Sequence, residues 1–244
     1  MIKDCEIEYR FNIDNDINCF KAIPNDMEHI VIYCHNLTSD STWALRFYEE
    51  LLKNRIGVFS FDLPSHGNDN TDYKKFNLTL CLNYFNIVIN YVKRTYPNVK
   101  INLLGSSFGS YLILNRLLRN IEHYNSVLLM SPCINIREYF DKQFEIIEEY
   151  FNEHDYKLIY GKTKIYKNTY LDFLNNSKFD NRVTRNNNVY IIHGEDDRII
   201  DKEDIKQFSD ELNIELTLVP NAPHEFYSYI KQLNKFIINK INNR

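Results

Sequence analysis

The sequence contains few glycines and no long apolar segment. Only six of its 244 residues are Gly, so each glycine is expected at a position where the backbone needs its freedom. The longest continuous apolar runs, such as residues 127–130, are far shorter than the roughly 18 residues that span a bilayer. The sequence therefore predicts no transmembrane segment.

An excess of basic residues is also missing. The 29 Lys and Arg face 33 Asp and Glu, which gives a formal net charge of −4. Such a balance leaves no basic stripe to neutralise the phosphates of a nucleic acid, so DNA and RNA are not expected partners. The first residues mix charges where a secretory signal would be apolar, and we expect a cytoplasmic location.

Several motifs that hold metals or cofactors do not occur. The five cysteines are widely spaced and form no Cys-x-x-Cys pair, so we expect reduced thiols and no metal site. Neither Gly-x-x-x-x-Gly-Lys nor Gly-x-Gly-x-x-Gly occurs, which disfavours a kinase or a dinucleotide enzyme. We expect a protein without metal or organic cofactor.

Short apolar runs alternate with longer amphipathic stretches along most of the chain. This alternation is typical of parallel strands joined by crossover helices, and so of an α/β fold in one domain. An N-terminal hairpin and six further strands predict a mostly parallel eight-stranded sheet. The further strands are predicted at His29–Cys34, Val58–Asp62, Lys100–Leu104, Ser126–Ser131, Asn188–His193 and Glu215–Val219. Helices are predicted at Trp43–Asn54, Leu78–Tyr96, Phe108–Arg119, Lys202–Leu212 and Glu225–Ile241.

Residues 133–187 interrupt this alternation. The stretch is rich in Tyr and Phe, has a helical pattern and offers no convincing strand. Insertions between the strands of an α/β sheet usually lie over the carboxyl ends, where ligands bind. We therefore expect a helical lid at 133–187 on a core of residues 1–132 and 188–244. The alternative is that its aromatic residues form an ordinary helical subdomain packed on itself.

A candidate nucleophile follows the third of these six strands. The stretch 105–109 reads Gly-Ser-Ser-Phe-Gly and stands between a predicted strand and a predicted helix, with Ser107 at its centre. Gly-x-Ser-x-Gly in that context is typical of a nucleophile elbow. A serine hydroxyl needs a neighbouring base, which a third group must orient. Downstream, residues 193–198 and His224 each follow a later strand and offer the carboxylates and the imidazole.

With this order of residues the sequence resembles the α/β-hydrolase superfamily, and within it the small-lid esterases and lipases such as monoglyceride lipases and cinnamoyl esterases. The resemblance covers nearly the whole chain apart from the lid. It implies a catalytic triad of Ser107, Asp197 and His224, in the chain order of α/β-hydrolases. Asp196 is the competing acid, and it would otherwise cap the next helix or lie in solvent. His193 and His66 each precede a glycine at a strand end, where a structural role is expected.

The resemblance also implies an oxyanion hole made by two backbone N–H groups. One belongs to Phe108, the residue after the nucleophile, and the other to Leu37. The loop around Leu37 has Asn36 where the family has glycine. Asn tolerates a left-handed backbone better than other residues, so the loop geometry is expected to survive.

The function expected from these residues is hydrolysis of a carboxylic ester through a covalent acyl-enzyme. The substrate would be a small-molecule ester, and the aromatic lid favours an apolar or aromatic acyl group. Thioesters and amides use the same triad and stay open as alternatives. A further alternative is a catalytically inactive member of the fold that binds a ligand or a partner.

Overall fold

A computed structural model describes residues 5–144 and 147–242 of the chain. The strands are β1 (Cys5–Ile13), β2 (Ile17–Pro24), β3 (His29–Cys34), β4 (Ile56–Phe61), β5 (Lys100–Ser106), β6 (Ser126–Met130), β7 (Tyr156–Ile159), β8 (Thr163–Tyr166), β9 (Val189–Gly194) and β10 (Glu215–Val219). The α-helices are α1 (Tyr48–Lys53), α2 (Leu78–Thr95), α3 (Phe108–Arg119), α4 (Ile136–Phe144), α5 (Ile147–Glu153), α6 (Lys167–Asn175), α7 (Lys202–Glu211) and α8 (Ile230–Asn242).

Eight strands form one sheet in the order β1-β2-β4-β3-β5-β6-β9-β10. β1 and β2 form an antiparallel hairpin, β2 runs antiparallel to β4, and every other neighbouring pair is parallel. The mostly parallel α/β sheet predicted from the sequence is confirmed. In this register Cys34 lies opposite Gly105, and Met130 lies opposite Ile192. The loops that follow the central strands therefore meet at one edge, the carboxyl edge of the sheet.

Helices cover both faces of the sheet. Within β3, Ile30, Ile32 and Cys34 point into one apolar cluster, which α2, α3 and α7 complete. Val31 and Tyr33 point into the other, which α1 and α8 complete. The alternation follows from the two-residue period of a strand. It buries both faces of β3, as a central parallel strand requires.

Two of the predicted helices begin later than the sequence pattern indicates. The stretch predicted as one helix at Trp43–Asn54 is a 3₁₀ turn over Ser41–Arg46 followed by α1, with the break at Phe47. Asp40 starts the turn by accepting a hydrogen bond from the Thr42 N–H, at 2.8 Å. The last helix begins at Ile230 because Phe226 has a left-handed backbone and a short 3₁₀ turn intervenes.

The insertion at 133–187 is not wholly helical, which corrects the sequence-based expectation. It contains α4, α5 and α6, and also the antiparallel hairpin of β7 and β8. Tyr160 and Gly161 both have positive φ, at 47° and 68°, in the turn between the two strands. A glycine between two alternating stretches is a hairpin signal that the aromatic content of the segment obscures.

Hydrogen bonds and aromatic contacts attach the insertion to the core. The Tyr111 hydroxyl of α3 donates to the Phe173 carbonyl at 2.8 Å, and the Asp172 carboxylate accepts from the Leu78 N–H at 2.7 Å. The Phe173 ring packs against the Phe108 ring with centroids 5.0 Å apart. The aromatic residues of the insertion thus pack on the core as well as on one another.

Candidate active site

Ser107 occupies the sharp turn between β5 and α3. Its backbone has φ 50° and ψ −109°, which an L-residue adopts only under strain. Three hydrogen bonds hold it there: its N–H donates to the Met130 carbonyl, and its carbonyl accepts from the Tyr111 and Cys133 N–H groups. The side chain of Ser107 stands at the carboxyl edge with the residue 5% exposed.

The two glycines of the motif allow this turn to pack closely. A Cβ on Gly105 would lie 2.6 Å from the Ser110 nitrogen. A Cβ on Gly109 would lie 2.1 Å from the Cys34 carbonyl oxygen at the end of β3. Any larger residue at either position would push α3 away from the sheet, so the spacing Gly-x-Ser-x-Gly is a steric requirement here.

His224 and Asp197 form a hydrogen-bonded pair at the same edge. The His224 Nδ1 lies 2.7 Å from the Asp197 Oδ2. The other carboxylate oxygen, Oδ1, accepts from the Ile199 and Ile200 N–H groups at 2.8 and 2.9 Å. Both oxygens are therefore engaged, and the Asp197 side chain is fully buried. Because an ionised carboxylate only accepts, the proton between the two residues lies on His224 Nδ1.

The surroundings of Asp197 favour its charged form. Burial alone would raise the pKa of its carboxyl, but the hydrogen bond and the positive charge that His224 can carry outweigh burial. Together with the backbone N–H of Ile200 they hold the pKa of Asp197 below its ordinary value. Asp197 is thus a carboxylate that can orient an imidazole without taking its proton.

Asp196 has a different environment. Its side chain is exposed, and its backbone N–H donates to the Ala222 carbonyl at 3.1 Å. Helix α7 is capped by Asp201, whose carboxylate accepts from the Glu203 N–H, so the cap considered for Asp196 is provided by another residue. Of the two candidate acids, Asp197 is the one that the structure brings together with His224.

Two other histidines near the site make different contacts. His193 is fully buried, with its Nε2 3.7 Å from Asp197 Oδ2, beyond hydrogen-bonding distance. Burial, followed by the charge of His224, lowers the pKa of His193 although Asp197 opposes the shift, so the imidazole is neutral. His66 places Nε2 2.6 Å from the Leu37 carbonyl and Nδ1 2.8 Å from the Pro64 carbonyl. His66 therefore supports the loop around Leu37.

Leu37 and Phe108 lie where the loop after β3 meets the start of α3. The Phe108 N–H is at the first residue of α3, and such a group has no acceptor within its helix. The close approach of Gly109 to Cys34 brings the loop after β3 against this helix end. Asn36 does not adopt a left-handed backbone, contrary to the sequence-based argument. Instead its side-chain Oδ1 accepts from the Thr38 N–H at 3.1 Å and closes the loop locally.

The Asp62 side chain holds the neighbouring loops together through hydrogen bonds. Its carboxylate, 1% exposed, accepts from the Asn18 side-chain amide and from the Ser41 and Asn68 N–H groups, at 2.6, 2.8 and 2.9 Å. Gly67 has a φ of 57° and lies so close that a Cβ would fall 2.3 Å from this carboxylate. The stretch Asp62–Gly67 is therefore a rigid turn beside the loop of Leu37.

Ser107 is not hydrogen-bonded to His224 in this structure. Among residues 5–144 and 147–242 no hydrogen bond joins the Ser107 hydroxyl to the imidazole. Ser131, which follows β6, links β9 to the loop of His224, because its backbone N–H donates to the Ile192 carbonyl and its hydroxyl donates to the His224 carbonyl at 3.1 Å. A hydrogen bond between a catalytic hydroxyl and its imidazole base is often long without substrate and shortens only when substrate binds.

Comparison with known proteins assigns the chain to a family. The Hydrolase_4 family, described as serine aminopeptidase, S33, matches residues 25–189. The chain belongs to this family of hydrolases. The matched range includes the Gly-x-Ser-x-Gly turn and ends before the loops of Asp197 and His224.

One curated relative and two solved structures extend the comparison. A monoglyceride lipase homolog of Monkeypox virus is 30% identical over 133 residues, which are 51% of this chain and 46% of that protein. The match thus spans about half the length of that relative. Est1E from Butyrivibrio proteoclasticus, solved with ferulic acid, has a TM-score of 0.78 at 18% identity, covering 96% of this chain and 99% of its own. A monoglyceride lipase from Saccharomyces cerevisiae, solved with a substrate analogue, has a TM-score of 0.76 at 16% identity over 100% and 97% of the two chains. At such low identities these structures show the shared α/β-hydrolase fold.

No helix within 5–144 and 147–242 combines the length and the apolar character that crossing a membrane requires. No group of three or more His, Cys, Asp and Glu side chains in the same ranges is arranged to hold a metal ion.

Sequence reasoning missed one residue at this site. Thr163 of β8 donates from its hydroxyl to the Leu37 carbonyl at 2.8 Å, across 126 positions of the chain. No local motif marks Thr163. The hairpin signal at Gly161 is the one feature that could have drawn attention to the segment.

Proposed function

We propose that the protein hydrolyses carboxylic esters through a covalent acyl-enzyme, with Ser107 as nucleophile, His224 as general base and Asp197 as the orienting carboxylate. The observation that carries this proposal is the 2.7 Å bond between His224 Nδ1 and Asp197 Oδ2 at the sheet edge where the strained Ser107 stands. That bond leaves His224 Nε2 without the proton, in the tautomer that a base requires.

The reaction uses each of these groups in turn. The Ser107 Oγ attacks the ester carbonyl carbon while its proton moves to His224 Nε2, and the Leu37 and Phe108 N–H groups stabilise the oxyanion. Collapse of the tetrahedral intermediate breaks the bond to the alcohol, which takes the proton from His224. Water then repeats the sequence on the acyl-enzyme and restores the Ser107 hydroxyl.

The insertion and the aromatic residues around Ser107 have roles of their own in the proposed function. Residues 133–187 act as a lid on a core of 1–132 and 188–244, since Ser107 and His224 are only 5% and 7% exposed. The rings of Phe76, Phe108 and Phe173 pack next to the elbow, which favours an apolar or aromatic acyl group. The names of the structural relatives, which mention ferulic acid and monoglyceride, point in the same direction. Cys19, Cys34, Cys81 and Cys133 are buried free thiols, as is usual in the cytosol. The proposal therefore includes a cytoplasmic location.

The family description favours one second candidate, an aminopeptidase that cleaves an amide with the same triad. Both candidates need an activated serine. They differ in the leaving group, which is an alcohol in one case and an amine in the other.

A fluorophosphonate probe and a substrate panel test the proposal. The probe labels an activated serine, so the wild-type protein should be labelled and Ser107→Ala should not. Ser107→Ala should also lower ester turnover by at least about a thousandfold while leaving the thermal midpoint nearly unchanged. Ser106→Ala is the matched control, because Ser106 is the neighbouring buried serine and lies on β5. A tenth of wild-type activity in Ser107→Ala would exclude Ser107 as the nucleophile.

The panel separates the candidate functions. It contains p-nitrophenyl esters of increasing chain length, feruloyl and monoacylglycerol esters, and aminoacyl p-nitroanilides. Faster turnover of the esters supports the proposal, and faster turnover of the anilides supports the aminopeptidase. A protein that the probe leaves unlabelled would be a binding protein with an inactive site.

A further inference from the structure

The carbonyl of Leu37 lies within hydrogen-bonding distance of two side chains from different parts of the chain. The Thr163 hydroxyl donates to it at 2.8 Å from β8, within the insertion. His66 Nε2 lies 2.6 Å from it, in the turn after β4, and donates in the tautomer that carries the proton on Nε2. Both side chains are almost fully buried, at 2% exposure for Thr163 and 4% for His66. Buried hydrogen bonds of this kind fix the peptide plane that they hold.

The peptide on the other side of Leu37 is held as well. The Leu63 N–H donates to His35 Nε2 at 2.9 Å, so the proton of the neutral ring lies on Nδ1. Nδ1 then donates to the Asn36 carbonyl at 2.7 Å. Burial, followed by the neighbouring His66, lowers the pKa of His35 to about 4, which keeps this arrangement at neutral pH. The Asn36 carbonyl and the Leu37 N–H belong to one peptide group, so His35 orients that N–H from the core.

Thr163 is the restraint on Leu37 that comes from outside the core. With His35 holding the peptide before Leu37, and His66 and Thr163 holding the peptide after it, the backbone angles of Leu37 are set from both sides. The direction of its N–H follows from those angles. If the N–H of an oxyanion hole is displaced by even a fraction of an ångström, it stabilises the transition state much less.

We propose that Thr163 is a positioning residue through which the insertion sets the direction of the Leu37 N–H. This inference rests on the proposed function, in which that N–H stabilises the oxyanion. Thr163 touches no reacting atom and acts through the Leu37 carbonyl. The insertion thus contributes to the rate of the chemical step as well as covering the site.

The chain offers a matched control for this bond. The Thr169 hydroxyl of α6 donates to the Phe76 carbonyl at 2.8 Å, and Thr169 is 3% exposed. It is also a buried threonine that joins the insertion to the core with a bond of the same length. Its acceptor lies in the segment before α2, outside the loop of Leu37. Thr163→Val and Thr169→Val therefore remove equivalent hydrogen bonds. Only the bond of Thr163 ends at the loop of Leu37.

The experiment compares wild type, Thr163→Val, Thr163→Ser and Thr169→Val in ester hydrolysis, probe labelling and thermal unfolding. We expect Thr163→Val to lower kcat about tenfold with KM within about twofold, because the lost interaction acts in the transition state. Thr163→Ser keeps the hydroxyl and should restore most of kcat. Thr169→Val should lose thermal stability comparable to that of Thr163→Val and keep kcat within about twofold.

The possible outcomes separate this inference from the proposed function. If wild type neither hydrolyses esters nor reacts with the probe, the proposed function fails and the inference fails with it. If wild type is active but Thr163→Val and Thr169→Val have the same kcat, the inference alone is overturned. A Thr163→Ser variant as slow as Thr163→Val would overturn it too. Should Thr163→Val not fold, Thr163→Ala removes the same donor and the same comparison applies.

Discussion

The carboxyl and amino edges of the sheet each contain a carboxylate whose pKa is depressed. At the carboxyl edge this carboxylate is Asp197, and at the amino edge it is Glu122, in the segment between α3 and β6. Burial would raise the pKa of Glu122, but hydrogen bonds from Tyr124, Arg116 and Lys93 lower it to about 2. The Arg116 Nη2 lies 2.6 Å from the Glu122 Oε2, and Arg116 is 3% exposed.

The partners of the two carboxylates differ in chemistry. Glu122 is bound by an arginine, a lysine and a phenol, each of which donates a hydrogen bond to it. Asp197 is bound by a histidine, whose second ring nitrogen can act as an acceptor, with a strained serine at the same edge. A shifted pKa therefore marks a stabilising network at one edge and a candidate site at the other. The partner of the carboxylate makes the distinction.

The sharpest test of this comparison replaces the acid at the carboxyl edge. Asp197→Asn should lower turnover by about four orders of magnitude, because an amide in place of the carboxylate favours the wrong tautomer of His224. Asp196→Asn, at the exposed neighbouring position, should change turnover no more than a few-fold. Steady-state kinetics on the best ester of the panel measures both. The opposite ranking would assign the acid to Asp196.

The two histidines that face Asp197 provide the next test. His224→Ala should remove most activity, whereas His193→Ala should keep activity within about tenfold and lower the free energy of unfolding by about 2 kcal/mol or more, since it empties a buried site. Kinetics and urea unfolding of the two variants separate the roles. An inactive but stably folded His193→Ala, beside an active His224→Ala, would refute the assignment of the base.

A substitution of Glu122 at the amino edge should change the stability of the protein and leave its activity unchanged. A carboxyl whose folded pKa is depressed stabilises the protein above its ordinary pKa, and this contribution is lost as the pH falls toward the folded pKa. For Glu122 this stabilisation is lost as the pH falls from 4.5, the ordinary pKa, to about 2, the pKa in the folded protein. Glu122→Gln should therefore cost about 0.5–1 kcal/mol at pH 7, a value reduced by solvent screening of a side chain that is 37% exposed.

Urea unfolding of wild type and Glu122→Gln at several pH values checks this expectation. The stability difference between them should shrink as the pH falls from 5 to 3, while ester turnover at pH 7 stays the same. Glu203→Gln, which breaks an exposed pair with Lys206, is the control and should show a small difference throughout. A difference that grows toward acid would contradict the role of Glu122.

Local sequence patterns predicted much of the sheet and less of what surrounds it. The bounds of β3 and β10 agree with the prediction, because β3 is apolar after its first residue, β10 alternates polar with apolar residues, and turn residues follow both strands. The hairpin of β7 and β8 was missed because Tyr156 and Leu158 are partly exposed, so no apolar run marks it. The break at Phe47, whose φ is −128°, separates the 3₁₀ turn from α1, and a helical period does not reveal it.

The candidate site shows the same division. Ser107, Asp197 and His224 each follow a strand, and parallel strands bring such positions to one edge. The placement of these residues could therefore be predicted. The contact of Thr163 with Leu37 joins residues 126 positions apart. It depends on how the insertion folds back over the sheet, and no periodicity in the sequence encodes that.

The strained backbone of Ser107 also bears on how this protein can change over evolutionary time. A non-glycine residue at φ 50° and ψ −109° costs on the order of 1–3 kcal/mol, which the surrounding fold offsets. Glycine at position 107 would relieve that strain and leave the elbow intact. If Ser107 is the proposed nucleophile, the stability of the fold and the activity of the site make opposite demands on this position. Serine would then persist there only under selection for the activity.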